Sequence, residues 1–322
     1  MKTDRGVNLT AASYIAAIDM GSNSFHLLIG QIRHGAWRSC YKTERKVQLA
    51  AGNAGGFLQA DAQMRALACL AEFKQILGGY DPMPLHIVAT ASLRGMANAA
   101  SFCRQVQSVL GVMPEIVSGE LEAELVYLGV GNEAGDGAQL VVDIGGGSTE
   151  LAFGHGPRMA RGRSVGVGCL SYLRYFPEGR LGRADFSAAL GAARVEFERA
   201  AAELALPPGV AIVGCSGTLL AVEQVLIARR GHSAGIYRDD LRHLVADLQS
   251  FTRVESVFFA GLPEDRQSIF ASGLAIVLAL FEALNIDEMA VSERGLREGI
   301  LERSVNAGVV STASVEIKHK GE

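Results

Sequence analysis

The strongest constraint on the fold is a pattern that occurs twice along the chain. Residues 14–18 form an apolar run that leads into an Asp-Met-Gly-Ser-Asn-Ser turn at residues 19–24, and residues 140–142 lead into Asp-Ile-Gly-Gly-Gly-Ser-Thr at residues 143–149. Each apolar run predicts a buried strand, and each glycine-rich segment predicts a turn at the end of that strand. A chain that repeats this arrangement is expected to fold into two similar units.

Each of these turns is followed by a predicted hairpin and then by alternating helices and strands. The hairpin turns are predicted at His34-Gly35 and at residues 154–157. Further strands are predicted over residues 85–89, 115–117, 210–213 and 289–291, and helices over residues 60–77, 98–110, 120–130, 183–204, 217–229, 238–249 and 263–283. Helices and strands mixed in this way predict an α/β protein.

The repeat places the seam between the two units near residues 125–135. We therefore expect an N-terminal domain over residues 1–128 and a C-terminal domain over residues 129–303. A flexible tail is expected over residues 304–322, where the sequence becomes small, polar and mixed.

Composition narrows the class of protein and of partner. Glycine accounts for 38 of the 322 residues and proline for 8, which is neither the disordered nor the collagen-like pattern. The net charge of −4 argues against a nucleic-acid protein held by a basic surface. The most apolar stretch, residues 269–280, is too short to span a bilayer and predicts a buried helix, so no membrane partner is expected.

The cysteines and the N-terminus predict a cytoplasmic protein. The five cysteines are odd in number and widely spaced, which favours free thiols in a reducing compartment. Residues 1–13 lack the sustained apolar core of a signal peptide.

The glycine-rich turns predict a phosphate site. A turn of this kind exposes backbone N–H groups that can bind an anion, and ligands of open α/β sheets bind beyond the carboxyl ends of the strands. Hydroxyl groups follow both turns, and a third turn of the same type lies at residues 214–218. Three such loops, if they converge, would form a cleft lined by N–H and hydroxyl donors.

Charged residues near these turns are candidates for metal and substrate binding. Asp19 and Asp143 end the two repeated strands and could both contact Mg²⁺, which commonly takes one or two carboxylates. Spacing alone does not choose among three acids that open a helix: Glu120, Glu122 and Glu124. It also leaves open whether the arginines Arg94, Arg294 and Arg297 bind phosphate or face solvent. His26, in an apolar strand, is predicted to be a core histidine.

At these residues the chain resembles the exopolyphosphatase and guanosine pentaphosphate phosphatase (Ppx/GppA) family of the actin, sugar-kinase and DnaK-type chaperone superfamily. The resemblance rests on residues 17–26, 142–151, 214–218 and 295–299 and extends over about residues 14–303. It implies an α/β fold with two ribonuclease-H-like (actin/sugar-kinase/DnaK-type) domains that face each other across a cleft. It also implies Mg²⁺ as the cofactor, with Mn²⁺ as a substitute and potassium as an additional candidate ion.

The resemblance also implies roles for individual residues. Glu122 matches the second acid of the family's Ser-Gly-x-Glu-Glu-Ala segment, which contains the catalytic base, and Leu121 replaces the first acid. Arg94 matches a substrate-binding arginine. The complete predicted site comprises the catalytic residues Glu122 and Asp143, the metal ligands Asp143, Glu150 and Asp19, and the phosphate-binding residues Gly21, Ser22, Asn23, Ser24, Arg94, Gly145, Gly146, Gly147, Ser148, Thr149, Ser216 and Gly217.

The expected function is hydrolysis of the terminal phosphoanhydride of inorganic polyphosphate, and a homodimer is the candidate assembly. Three alternatives stay open. The first is removal of the 5′-terminal phosphate of guanosine pentaphosphate (pppGpp), and the second is an ATP-dependent kinase of the wider superfamily. The third, favoured by Leu121, is a weakly catalytic sensor that binds polyphosphate or nucleotide.

Overall fold

The structure, a computed structural model, describes residues 13–81, 83–131, 135, 137–231 and 234–307. The predictions about the segment before residue 13, about part of the seam loop and about the tail beyond residue 307 lie outside the described residues.

The first half of the described chain forms seven strands and three helices. In chain order they are β1 (Ser13–Met20), β2 (Ser24–Arg33), β3 (Ala36–Lys46), β4 (Asn53–Ala54), β5 (Phe57–Leu58), α1 (Ala60–Leu77), β6 (Leu85–Ala89), α2 (Ala99–Leu110), β7 (Glu115–Ile116) and α3 (Gly119–Val130).

The second half repeats this order with further helices. It contains β8 (Ala138–Ile144), β9 (Thr149–His155), β10 (Arg158–Val165), α4 (Arg183–Leu204), β11 (Ala211–Cys215), α5 (Gly217–Arg230), β12 (Ile236–Tyr237), α6 (Arg238–Leu248), α7 (Gln267–Ala283), β13 (Glu288–Ser292) and α8 (Leu296–Asn306). Both predicted hairpins and all seven predicted helices are confirmed, with boundaries that differ by a few residues at most.

The two large sheets have corresponding strand orders, which confirms the predicted duplication. They are ordered β3-β2-β1-β6-β7 and β10-β9-β8-β11-β13-β12. In the first sheet β1 pairs antiparallel with β2 and parallel with β6. In the second sheet β8 pairs antiparallel with β9 and parallel with β11. Asp19 and Asp143 therefore lie at equivalent carboxyl ends of central strands, where open α/β sheets bind ligands.

Helices α3 and α8 pack between the two sheets. Their buried side chains, including Val126 and Ile300, share a core with Ile15 and Leu28 of the first sheet and Val141 of the second. Two further cores lie on the outer faces, one under α1 and α2 and the other under α4 to α7. The two helices are therefore well placed to carry side chains into the space where the sheets meet.

Helix α8 was not predicted as a helix, and it includes the first residues of the predicted tail. The reason is the pair Gly295 and Gly299, since glycine disfavours helix formation. Here close packing requires small residues, because a Cβ atom on Gly299 would lie 1.7 Å from the carbonyl oxygen of Leu125 in α3. On Gly129 it would lie 1.7 Å from the carbonyl oxygen of Gly295.

Helix α7 is the most apolar element and lies in the C-terminal core. By length and composition, Glu264–Ala283 could cross a membrane, but 72% of the window that passes this test is buried inside the structure. Every residue from Ile269 to Phe281 is buried. The prediction of a buried core helix is confirmed.

Candidate active site

The two repeated turns, the third turn and both aspartates line one cleft. Its volume of about 190 Å³ exceeds by roughly a factor of ten what a single water molecule needs, which leaves room for a phosphate chain. The predicted residues that line it are Asp19, Gly21, Ser22, Asn23, Ser24, Glu122, Asp143, Gly145, Gly146, Gly147, Ser148, Glu150, Ser216 and Gly217.

The first two loops approach each other closely across this cleft. A Cβ atom added to Gly146 would lie 2.9 Å from the Cβ atom of Ser22, and one added to Gly147 would lie 3.3 Å from the Ser22 hydroxyl oxygen. Glycine is also needed within each loop, because a Cβ atom on Gly21 would lie 2.8 Å from the Ser24 carbonyl oxygen. The loops can therefore present backbone N–H groups and hydroxyls to one anion.

The third loop adds the start of α5 to the cleft. The Ser216 hydroxyl accepts a hydrogen bond from the backbone N–H of Leu219 at 3.3 Å and so caps the helix. Ser216 has a φ of 143°, an unusual value for a residue other than glycine. Such strain is frequent at ligand sites. The guanidinium of Arg266 lies against Gly217, where an added Cβ atom would be 2.2 Å from Nη2.

The position of Glu122 separates it from its acidic neighbours. Ser118 caps α3 by accepting a hydrogen bond from the backbone N–H of Leu121. Glu120 and Glu124 of α3 are exposed, whereas Glu122 is only 6% exposed and lines the cleft. The structure thus distinguishes the three acids, which spacing alone could not.

Arg94 pairs with the carboxylate of Glu122 by a short hydrogen-bonded salt bridge. Arg94 was predicted to bind phosphate, but it is not among the residues that line the cleft and is connected to it through Glu122. Thr149 differs from the other loop residues, because its side chain is buried and its hydroxyl donates to the carbonyl oxygen of Val167 at 2.6 Å. Thr149 stabilises the loop and does not line the cleft.

Carboxylates are concentrated at the base of the cleft. Burial raises the pKa of Asp19 to about 7 and that of Asp143 well above its usual range, and in both cases the positive charge of Arg297 opposes the shift. Burial also raises the pKa of Glu122, with a further contribution from the negative charge of Glu150. Burial raises the pKa of Glu150 too, against hydrogen bonds from Ser164 and Ser148.

The carboxylates at the bottom of the cleft are suitable ligands for a hard cation, although no compact metal-binding cluster is preformed. Among the described residues, no group of three or more His, Cys, Asp or Glu side chains is arranged to hold a metal ion. However, Oδ1 of Asp19 is buried without a hydrogen-bond partner. A divalent ion that takes one or two carboxylates and completes its shell with water and phosphate oxygens would satisfy that oxygen and lower the repulsion among the carboxylates.

The sequence analysis misjudged His26, did not single out Glu44 or Arg266, and left the role of Arg297 open, and all four residues line the cleft. His26 is not a core histidine, since its side chain is 20% exposed and lines the cleft. Its Nδ1 atom lies 3.2 Å from Nη1 of Arg297 and 3.8 Å from the Glu44 carboxylate. Glu44 also forms a 3.3 Å salt bridge with Arg266. The motif around Arg297 was a signal for that residue, whereas nothing local marks Arg266 or Glu44.

Comparison with known proteins gives one consistent family. Residues 28–307 match the model of the Ppx/GppA phosphatase family. The chain is 38% identical over 289 residues to a guanosine-5′-triphosphate,3′-diphosphate pyrophosphatase of Pseudoalteromonas translucida (strain TAC 125). That alignment covers 89% of this chain and 58% of the relative, so the chain spans a little over half of that protein's length.

Solved structures show the same fold. An exopolyphosphatase from Cytophaga hutchinsonii ATCC 33406 superposes with a TM-score of 0.81 at 24% identity, over 92% of this chain and 98% of that one. The Aquifex aeolicus member of the Ppx/GppA family superposes with a TM-score of 0.77 at 24% identity, over 94% of this chain and 100% of that one. The predicted architecture of two ribonuclease-H-like domains facing across a cleft is confirmed.

Proposed function

The chain belongs to the Ppx/GppA phosphatase family, and on that premise we propose that it hydrolyses a terminal phosphoanhydride bond, with guanosine pentaphosphate as the first candidate substrate. The observation that carries the proposal is the arrangement of the cleft. Two glycine- and hydroxyl-rich loops face each other, and the buried carboxylate of Glu122 lines the same space.

In the proposed reaction the terminal phosphoryl group binds between the loops at residues 21–24 and 145–148. A water oxygen forms a bond to phosphorus while the bond from phosphorus to the bridging oxygen breaks. The water loses a proton, and the products are orthophosphate and a substrate shorter by one phosphate. Phosphoryl transfer depends mainly on positioning and on stabilisation of charge, which backbone amides and hydroxyls can provide.

Glu122 is proposed to orient the attacking water and to accept its proton. A positioned base of this kind typically contributes about 10²–10⁴-fold, and the positive charge of Arg94 lowers the pKa that burial raises, which favours the ionised carboxylate that a base requires. The salt bridge with Arg94 fixes the orientation of the carboxylate. Leu121, where the family pattern has another acid, packs against the core between the sheets, so Glu122 acts without that neighbour.

Asp143, Glu150 and Asp19 are proposed to hold a divalent metal, Mg²⁺ first and Mn²⁺ second, with potassium as an additional candidate ion. The unpartnered Oδ1 of Asp19 and the raised pKa values of these acids support this assignment. When bound, such an ion neutralises negative charge on the transferring phosphoryl group. The three side chains would hold the ion, while the loops orient the phosphate.

The sequence analysis favoured inorganic polyphosphate as the substrate. Guanosine pentaphosphate is now the first candidate, because the 38% identical relative is named for that nucleotide. Polyphosphate is the second candidate, because the described residues that line the cleft include no Phe, Tyr or Trp ring on which a guanine base could stack. The phosphate loops would accept either substrate.

The proposal is tested by initial rates of phosphate release from pppGpp and from polyphosphates of several lengths, measured side by side with Mg²⁺ and after chelation. We expect Mg²⁺-dependent release, fastest with pppGpp. Faster release from polyphosphate would reverse the order of the substrates. Tight binding of both without phosphate release would contradict the enzymatic proposal and favour the sensor, and phosphate transfer from ATP to a small molecule would favour a kinase.

A cytoplasmic location and a homodimer remain part of the proposal. The location is supported by the five cysteines, none of which forms a disulfide, as predicted. Chromatography with light scattering tests the homodimer.

A further inference from the structure

We propose that Arg297 is a catalytic residue whose guanidinium contacts the transferring phosphoryl group, and that His26 is the positioning residue that holds it there. This inference rests on the proposed phosphoanhydride hydrolysis and adds a residue pair to it. The pair joins two distant parts of the chain, because His26 lies on β2 of the first sheet and Arg297 in the first turn of α8.

Arg297 differs from the other arginines that line the cleft in how few contacts it makes. Arg294 donates to the carbonyl oxygen of Gly129 at 2.7 Å, forms a salt bridge with Glu302 and lies over the Trp37 ring. Arg266 forms salt bridges with Glu44 and Asp265. For Arg297 the described residues provide one side-chain hydrogen bond, to His26. Its remaining N–H donors are therefore available to a ligand in the cleft.

His26 holds the guanidinium through a lone pair. A guanidinium can only donate hydrogen bonds, so Nδ1 of His26 accepts and the neutral ring carries its proton on Nε2. Burial, together with the charge of Arg297, lowers the pKa of His26 to about 4, which keeps the ring neutral at physiological pH. A neutral ring in this position orients Arg297 without competing for the phosphate.

The backbone that carries Arg297 is also fixed. The carboxylate of Glu298 accepts a hydrogen bond from the backbone N–H of Gly295 at 2.9 Å and so caps α8. The same carboxylate lies 3.3 Å from Nζ of Lys42 on β3 and is almost fully buried. Helix α8 thus begins at a defined point against the first sheet, and the Arg297 side chain starts from a rigid base.

The negative charge of the cleft means that a polyanion can bind only where a positive group such as the Arg297 guanidinium offsets that charge. Six carboxylates line the space in which a polyanion must bind, and Arg297 lines the same space. A guanidinium offers paired donors that match phosphate oxygens, and it can stabilise the charge that develops during phosphoryl transfer.

The test measures phosphate release by Arg297→Ala in the presence of Mg²⁺, with Arg294→Ala as the matched control three residues away. We expect kcat of Arg297→Ala to fall by about 10²–10³-fold, the usual cost of losing one donor to a transition-state oxyanion. We expect KM to change by less than about threefold. Added guanidinium ion should raise the kcat of Arg297→Ala by at least about tenfold. Arg294→Ala should lower the melting temperature and show no guanidinium rescue.

Two further variants separate positioning from folding. Arg297→Lys keeps a positive charge in case the alanine variant fails to fold, and it should still lose about tenfold in kcat because the paired donors are gone. His26→Asn keeps an acceptor near the position of Nδ1, and it should retain most of the kcat that His26→Leu loses at nearly constant KM.

Several results would overturn the inference. They are a rise in KM alone for Arg297→Ala, wild-type kcat in Arg297→Lys, absence of guanidinium rescue, and equal rates for His26→Asn and His26→Leu. If the wild type releases phosphate and Arg297→Ala releases it at the same rate, this inference is overturned but the proposed function is not. Absence of phosphate release by the wild type would overturn the proposed function and this inference with it.

Discussion

The two halves of the molecule place an aspartate at the same position in the sheet, but the residue that pairs with it on the neighbouring strand differs in chemical character. In the first sheet Asp19 lies directly across from His26, and in the second sheet Asp143 lies directly across from Glu150. The backbone pairing is equivalent, because both pairs stand at the end of an antiparallel hairpin. The two halves therefore differ at the position that pairs with the aspartate, which is His26 in the first half and Glu150 in the second.

That difference assigns a separate electrostatic role to each half. Glu150 adds a second carboxylate beside Asp143, which suits a metal ion. His26 instead accepts a hydrogen bond from Arg297 and so brings a cation beside Asp19. A duplicated fold can thus surround one phosphate with a metal on one side and a guanidinium on the other.

The largest effect should come from removing the aspartate in each half. If the second half holds the metal, Asp143→Asn should lower kcat by at least about 10³-fold, because the charge that stabilises phosphoryl transfer is lost. Asp19→Asn removes one of the three proposed ligands and should cost less, about 10–100-fold, because Asp143 and Glu150 would still hold the ion. Mg²⁺ titrations of phosphate release measure both. Equal losses would mean that the two halves share the metal equally.

A smaller effect is expected from the first glycine of each loop. An added Cβ atom would lie 2.8 Å from the Ser24 carbonyl oxygen at Gly21, but 3.2 Å from the Ser148 carbonyl oxygen at Gly145. Gly21→Ala must shift its loop and should lower kcat/KM by about tenfold. Gly145→Ala needs a shift of only a few tenths of an ångström and should cost less. Steady-state kinetics of both variants test the order, and the reverse order would contradict the loop geometry.

The smallest effect is on stability and follows from the raised pKa values. The pKa of Asp19 is about 7 in the folded protein, against an ordinary value of 3.8 for an aspartate exposed to water. Between these values the folded protein binds more protons than the unfolded chain, so the free energy of unfolding decreases as the pH rises. Bound Mg²⁺ replaces the proton, so its stabilising effect should increase with pH. Melting temperatures with and without Mg²⁺, from about pH 5 to about pH 8, test this trend. A Mg²⁺ effect independent of pH would argue against metal binding at these acids.

The sequence predicted the fold better than it predicted the charged groups of the site. Strand and helix periodicity, together with the repeated Asp-x-Gly turns, was sufficient for both hairpins and seven helices because those signals are local. Helix α8 was missed because Gly295 and Gly299 oppose a helix by propensity, and only their contact with α3 explains them.

Roles that depend on contacts between distant segments were not accessible in this way. His26 and Arg297 are 271 residues apart, and an apolar strand gives no sign that one of its residues faces a cleft. The choice of Glu122 over Glu120 and Glu124 likewise needed either the resemblance or the observed burial.

The most direct test of the account is phosphate release by Glu122→Gln, with Glu120→Gln and Glu124→Gln as controls on the same helix. The central claim is that Glu122 acts as the base between the two loops. It predicts that Glu122→Gln loses about 10²–10⁴-fold in kcat while its melting temperature and its affinity for pppGpp are retained, and that both controls keep wild-type rates. A Glu122→Gln variant that releases phosphate at the rate of the two controls would contradict it.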